Sequence, residues 1–253
     1  LEQGINNPEP TLSEENEKVW IALVLAWVAG FADAFGFLAL GEIFFSALSG
    51  NTVAVNASLA RRDWPEVAHR LCPIIFFVTG FIFGTIFERI ASRLHIRRRF
   101  SVALALEAAL LLCFLLVGQL CLPSQGAPSQ TPVTFYVLIA LLSGAMGIQT
   151  ASLRRVRHES VNTPFVTGMM VKALEHAVDV LFNTYDRLHH RTPSFPPDSA
   201  AKAIFHGSLW LCFAIGAVCG GFGEVIWKFP VLLVPVGALI IIIICDILRP
   251  IHD

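Results

Sequence analysis

Apolar residues cluster in six long runs, at residues 19–40, 71–90, 101–122, 133–153, 203–226 and 231–248. About 20 apolar residues in a helix cross a ~30 Å hydrocarbon layer, so each run predicts a membrane-spanning helix. Two further segments, 43–60 and 161–182, are less apolar and are interrupted by small and hydroxyl residues. Each of these either crosses, re-enters or lies at the interface, because backbone inside lipid must find its hydrogen bonds within protein. The expected fold is all-α, a polytopic transmembrane helical bundle.

The cations decide between the topologies. If both weaker segments cross, Lys and Arg divide eight against nine with Lys172 inside a span. If neither crosses, fourteen fall on the N-terminal side and Arg61, Arg62, Arg70 and Lys228 alone lie opposite. The positive-inside rule then predicts six full crossings, with both termini and the Arg97–Arg98–Arg99 turn in the cytoplasm. That turn reads as an orientation signal ahead of a lipid-headgroup patch. Residues 1–18 are polar and acidic, so the first run reads as a retained anchor behind a polar tail and not as a signal sequence. The Gly/Pro/Ser/Gln-rich stretch 123–132 suits an external linker, and 183–199, with His189 and His190, a cytoplasmic loop.

Composition narrows the function. With 55% hydrophobic and 15% charged residues and a mean hydropathy of +0.66, a soluble domain is excluded. A net charge of −1, with cations confined to short loops, argues against a nucleic-acid partner. The six cysteines lie in or beside apolar runs without CxxC spacing or histidine partners, so neither a zinc site nor a disulfide framework is expected. Hydrolase, metalloprotease, nucleotide-binding and haem signatures are missing, so no enzymatic activity, metal or cofactor is predicted.

The chain also resembles itself. Gly30-Phe31-Ala32-Asp33-Ala34 followed by Ser49-Gly50-Asn51-Thr52-Val53 recurs as Gly147-Ile148-Gln149-Thr150-Ala151 followed by Thr167-Gly168-Met169-Met170-Val171, offset by 117 and 118 residues. This divides the molecule into a tail (1–18), a first membrane repeat (19–122), the linker (123–132) and a second repeat (133–250). Each repeat holds three spans plus one broken or re-entrant segment, so an odd number of crossings inverts the second relative to the first. Many secondary transporters use inverted repeats with interrupted helices around a midplane substrate site.

These segments, together with Arg154-Arg155-Val156 and Val161-Asn162-Thr163-Pro164-Phe165-Val166-Thr167-Gly168, resemble the YoaK-like family of uncharacterised bacterial membrane proteins, a domain of unknown function (1275), over about residues 20–250. The resemblance implies membrane class and architecture and adds no activity.

Candidate residues follow from cost. An unpaired carboxylate inside a span costs several kcal/mol and normally faces a cavity or partner, which selects Asp33 as a proton, cation or amine site, or else a buried packing partner. Ser46, Ser49, Gly50, Asn51, Thr52 and Asn56 form a polar patch where glycine permits an unwound, ligand-binding turn, and Asn162, Thr163, Thr167 and Gly168 mirror it. Small residues used for helix packing give the alternative reading. Gln149 and Thr150, at the second copy of Asp33, are cavity candidates. Lys172, Glu175, His176 and Asp179 share one helix face and read as interfacial, while Glu88, Glu107, Glu224 and Asp246, near span ends, are expected to snorkel. The function expected is a secondary transporter or permease for a small solute or ion, in contact with lipid and with a second copy of itself. The alternative is a structural or accessory subunit of a larger complex, and an intramembrane enzyme built on Asp33 and His176 comes last.

Overall fold

The computed structural model describes residues 12–94, 96, 98–121, 132–153, 166–190, 192 and 195–248. Among them are eight α-helices: α1 (Leu12–Ala39), α2 (Leu48–Ala60), α3 (Trp64–Arg93), α4 (Arg99–Cys121), α5 (Pro132–Leu153), α6 (Val166–Leu188), α7 (Ser199–Trp227) and α8 (Leu233–Leu248), with a 3-10 turn at Phe229–Leu232 before the last. Six helical stretches, in α1, α3, α4, α5, α7 and the turn with α8, are long and apolar enough to cross a membrane. They match the six apolar runs.

α3 and α7 begin earlier than hydropathy alone predicts, and the cause is local. α3 starts at Trp64 because Asp63 caps it, accepting from the Glu66 backbone N–H at 3.3 Å, with proline in the first turn. α7 starts at Ser199 after Asp198, whose carboxyl pairs with Lys202 at 3.0 Å and is held below the usual carboxylate range first by that hydrogen bond. The stretch expected as a loop from 183 is helical through Leu188. There Asn183 is buried and exchanges two hydrogen bonds with the Phe195 backbone, at 3.0 and 3.2 Å, which ties the end of α6 to the approach of α7.

Close backbone approach builds the bundle. A Cβ on Gly30 would lie 2.0 Å from the Phe213 carbonyl oxygen, one on Gly216 2.0 Å from that of Trp27, and one on Gly220 2.2 Å from that of Phe31. From Trp27–Gly216 to Phe31–Gly220 both helices advance four residues, so α1 and α7 run parallel. A second seam joins α3 and α5 in the same sense: Gly147 meets the Phe77 carbonyl oxygen at 2.3 Å and Gly80 that of Gly144 at 2.4 Å, while Gly84 abuts Ala151 and Ile148. Such approach replaces the hydrophobic drive that lipid cannot supply between helices. α4 and α8 are antiparallel, with Ser101 bonded to Asp246 at one end and Gly118 beneath the Phe229 ring at the other. Short turns reverse the chain between α3 and α4 and between α7 and α8, so the six spans alternate and α1 begins on the side where α8 ends.

The two weak segments become helices of different kinds. The 13 residues of α2 reach about 20 Å, too short to cross. α6 is long enough, but it is apolar on one exposed face only, through Met170, Leu174, Val178, Leu181 and Phe182. Among the described residues α2 packs on α3 alone and α6 on α7 alone, and the two do not touch. Thr167 and Gly168 therefore do not meet the mirrored Ser49–Thr52 patch, α2 and α6 each being drawn onto the long helix that follows it. Residues 163–165 lie outside the described residues, as do Asn162, the Arg154–Arg155 pair and nearly all of the linker.

Candidate functional site

Near the end of α1 the chain leaves the helix through Gly41 and Glu42, both left-handed at φ 77° and 61°, and turns back into the bundle. Ile43, Phe45 and Ser46 are buried, and Gly36 makes room for the Phe45 ring, which a Cβ there would meet at 2.3 Å. A returning strand at this depth exposes backbone N–H groups that lipid cannot satisfy, and Asp33 satisfies them. Its Oδ1 accepts from the N–H groups of Phe45 and Ser46, both at 2.6 Å, and its Oδ2 from the Ser46 hydroxyl at 2.5 Å and the Ala47 N–H at 3.1 Å. Four donors replace the water that the carboxylate has lost.

Asn51, fully buried, completes the clamp by donating to the Phe44 carbonyl at 2.6 Å and accepting from the Phe44 N–H at 3.1 Å. The other members of the predicted patch are placed differently. Gly50 lies within the first turn of α2, and its missing Cβ admits the Phe44 ring, which would otherwise approach to 2.7 Å. The unwound stretch is 40–47, so the reason given for glycine at position 50 is corrected from backbone freedom to ring packing. Ser49 is exposed, and so are Thr52 and Asn56, which bond to carbonyls of their own helix. The structure thus joins Asp33, Ser46 and Asn51 through the 40–47 turn and leaves Ser49 and Thr52 outside it.

In the second copy, Thr150 turns its hydroxyl to the Met146 carbonyl at 2.8 Å, whereas Gln149 reaches across to α4 and donates to Glu107 Oε1 at 2.9 Å. Thr167 is exposed and Gly168 half-buried. Glu107 is 0% exposed, and Glu88 and Asp246 are buried too, so these three carboxyls do not snorkel as expected. Glu107 faces α5 and Asp246 faces α4, a direction that distance from a span end does not reveal. Glu224 lies near the surface and pairs with Lys228 at 2.9 Å. On the α6 face, His176 stands 3.5 Å from Asp179 and 5.7 Å, ring to ring, from His206 of α7. No group of three metal-ligating side chains occurs among the described residues.

A cavity of about 330 Å3 opens where the end of α1 meets the starts of α3 and α5, lined by Ala39, Leu40, Gly41, Ile43, Glu66, His69, Arg70 and Phe135. Arg70 forms its floor by donating Nε to Glu66 at 2.6 Å and Nη1 to the Glu42 carbonyl. His69 leans on Phe135, ring to ring at 5.1 Å. The hollow sets Glu66, His69 and Arg70 against Leu40, Ile43 and Phe135; it adjoins the clamped turn and went unnoticed in the sequence because its residues come from three elements.

Sequence reading also missed a second internal match, Phe-x2-Gly-x3-Gly-x3-Glu, at Phe77, Gly80, Gly84 and Glu88 in α3 and again at Phe213, Gly216, Gly220 and Glu224 in α7. Its spacing of three and four residues puts the glycines on the seam face, a signal that was present in the letters.

These features define a multi-pass helical membrane protein that keeps carboxyl groups and a clamped, unwound turn inside its bundle. The chain belongs to the family described as Protein of unknown function (DUF1275), which it matches over residues 21–245. It is similar to UPF0700 transmembrane protein YoaK of Bacillus subtilis (strain 168), 26% identical over 213 residues that cover 84% of this chain and 87% of the relative. No solved structure matches it.

Proposed function

We propose that this protein is a secondary transporter or permease for a small solute, built from two inverted repeats in a bacterial inner membrane with both termini cytoplasmic. One observation carries the reading: the two glycine seams exchange under a single correspondence. Gly30 against Phe213 matches Gly147 against Phe77, and Trp27 against Gly216 matches Gly144 against Gly80. The shift is 117 positions from α1 to α5 and 136 from α3 to α7 throughout, and it also carries Glu88 onto Glu224. Because α1 parallels α7 while α3 parallels α5 in the opposite sense, the relation is an inversion. The short helices follow it as well, α2 on α3 and α6 on α7. Alternating access in secondary transporters rests on this kind of symmetry.

In this reading the hollow beside Arg70 is the external mouth, and the turn clamped by Asp33 and Asn51 is the interrupted element that the solute passes. The test is reconstitution of the purified chain into proteoliposomes carrying a trapped pH-sensitive dye, with a panel of amino acids, organic acids, sugars and polyamines added outside. Solute-dependent proton movement or labelled uptake that protein-free vesicles lack is the expected result. A folded, correctly inserted protein that moves none of them fails the reading and favours an accessory subunit.

A further inference from the structure

We propose that Glu107, paired with Gln149, is a proton-binding site that exchanges one proton at membrane depth. This rests on the transport reading for its role and on the geometry below for its existence.

Glu107 lies eight residues into α4, about 12 Å from its first residue. It is fully enclosed and bonded through Oε1 to a single neutral donor, Gln149 Nε2. Oε2 has no hydrogen-bond partner among the described residues. A carboxylate so placed has lost its water without recovering an equivalent set of donors, and uptake of one proton removes the charge that makes the position costly.

The chemistry of the partner separates Glu107 from the buried Asp33. Asp33 is held by three backbone N–H groups and a hydroxyl, and backbone N–H groups only donate, so that cradle fits a structural anchor for the turn. Gln149 carries a donor and an acceptor on one amide. Its Nε2–H serves the carboxylate, and after a half-turn of the amide its Oε1 accepts the O–H of the carboxylic acid. The reaction is the addition of one proton to a carboxylate oxygen and its later loss, with no other bond changed.

No charged side chain is hydrogen-bonded to Glu107 among the described residues. α4 packs against α3, α5, α8 and the 229–232 turn. α5 offers Gln149, Thr150 and Ser152 at this level, none of which titrates, and the turn has no ionisable group. α3 brings Glu88 and α8 brings Asp246, both with contacts of their own, that of Asp246 including the Ser101 hydroxyl. Arg98, before the start of α4, donates instead to the Ile247 carbonyl.

The test uses the full-length protein in lipid. Infrared difference spectra across a pH series follow the carbonyl stretch of a protonated carboxyl group, and dye-loaded vesicles follow proton movement. We expect a titrating band in the wild type that disappears in Glu107→Gln, with proton movement at least tenfold slower. Gln149→Leu keeps the acid and removes its partner, so the same band should shift; this reads the site even where Glu107→Gln does not fold. A band unchanged in both variants, or proton movement unaltered in a folded Glu107→Gln, overturns the proposal. A titrating Glu107 band in a protein that moves neither protons nor solute supports the site and removes the transport reading alone.

Discussion

Asp33 shows what a single side chain does when the backbone around it leaves the helix. Hydrogen bonds to a charged group contribute about 1.5–3 kcal/mol each, and their loss leaves buried N–H groups unsatisfied. Asp33→Asn turns an NH2 group onto a cradle whose three backbone N–H groups cannot accept from it, so we expect a destabilisation of about 3 kcal/mol. Ser46→Ala, which removes one of the four contacts, should cost about 1.5 kcal/mol. Thermal melting in one detergent, with wild type run in parallel, measures both; an Asn variant as stable as wild type would show that the turn is held by something else. The presence of a carboxylate in the first span was legible from sequence because charge in an apolar run is conspicuous. Its partners were not, because they arrive from 12 to 14 positions downstream in a stretch whose letters, Phe-Phe-Ser-Ala, say nothing of unpaired N–H groups. Glu107 was hidden for the opposite reason: a glutamate eight residues from a helix end looks able to reach water, and only the neighbouring α5 shows that it does not.

Helix seams make a sharper forecast, because glycines in this chain are not equivalent. Gly30→Ala and Gly147→Ala place a methyl group 2.0 and 2.3 Å from a backbone oxygen, a clash that no rotamer change relieves. Overpacking of this kind costs about 1–3 kcal/mol or more, so both variants should melt early and lose monodispersity on gel filtration. Gly144→Ala and Gly237→Ala add their methyl groups to open space and should behave as wild type, apart from any gain in helix propensity. Equal sensitivity at all four positions would mean that the helices pack otherwise. The six spans were readable from hydropathy because lipid imposes one requirement, length times apolarity, that a sequence displays directly. The fate of 43–60 and 161–182 was not, since a half-apolar segment is settled by the neighbour it packs on, here α3 for α2 and α7 for α6.

Across the whole molecule, alternation of the spans puts Arg62 and Lys228 at one membrane face and Arg98 and His190 at the other. Single cysteines at these positions, on a background with the six native cysteines removed, should therefore divide two and two when labelled by an impermeant thiol reagent in spheroplasts. Accessibility of Arg62→Cys and Lys228→Cys from outside, with Arg98→Cys and His190→Cys protected, is expected; a uniform pattern would overturn the arrangement. The family match and the alternating spans agree on membrane class, and the bundle separates the hollow at Arg70 from the buried Glu107 carboxyl nearer the opposite face.

The parallel seam between α1 and α7 also sets an order of events during synthesis. The first helix enters the bilayer with Trp27, Gly30 and Phe31 shaped for a partner that is made more than 180 residues later, at Phe213, Gly216 and Gly220. Until then its narrow glycine face has only lipid beside it. A ribosome stalled after α6 would leave that face exposed and recognisable to membrane quality control. A nascent chain arrested there should be degraded rapidly, and supplying α7 with α8 as a separate polypeptide should rescue it.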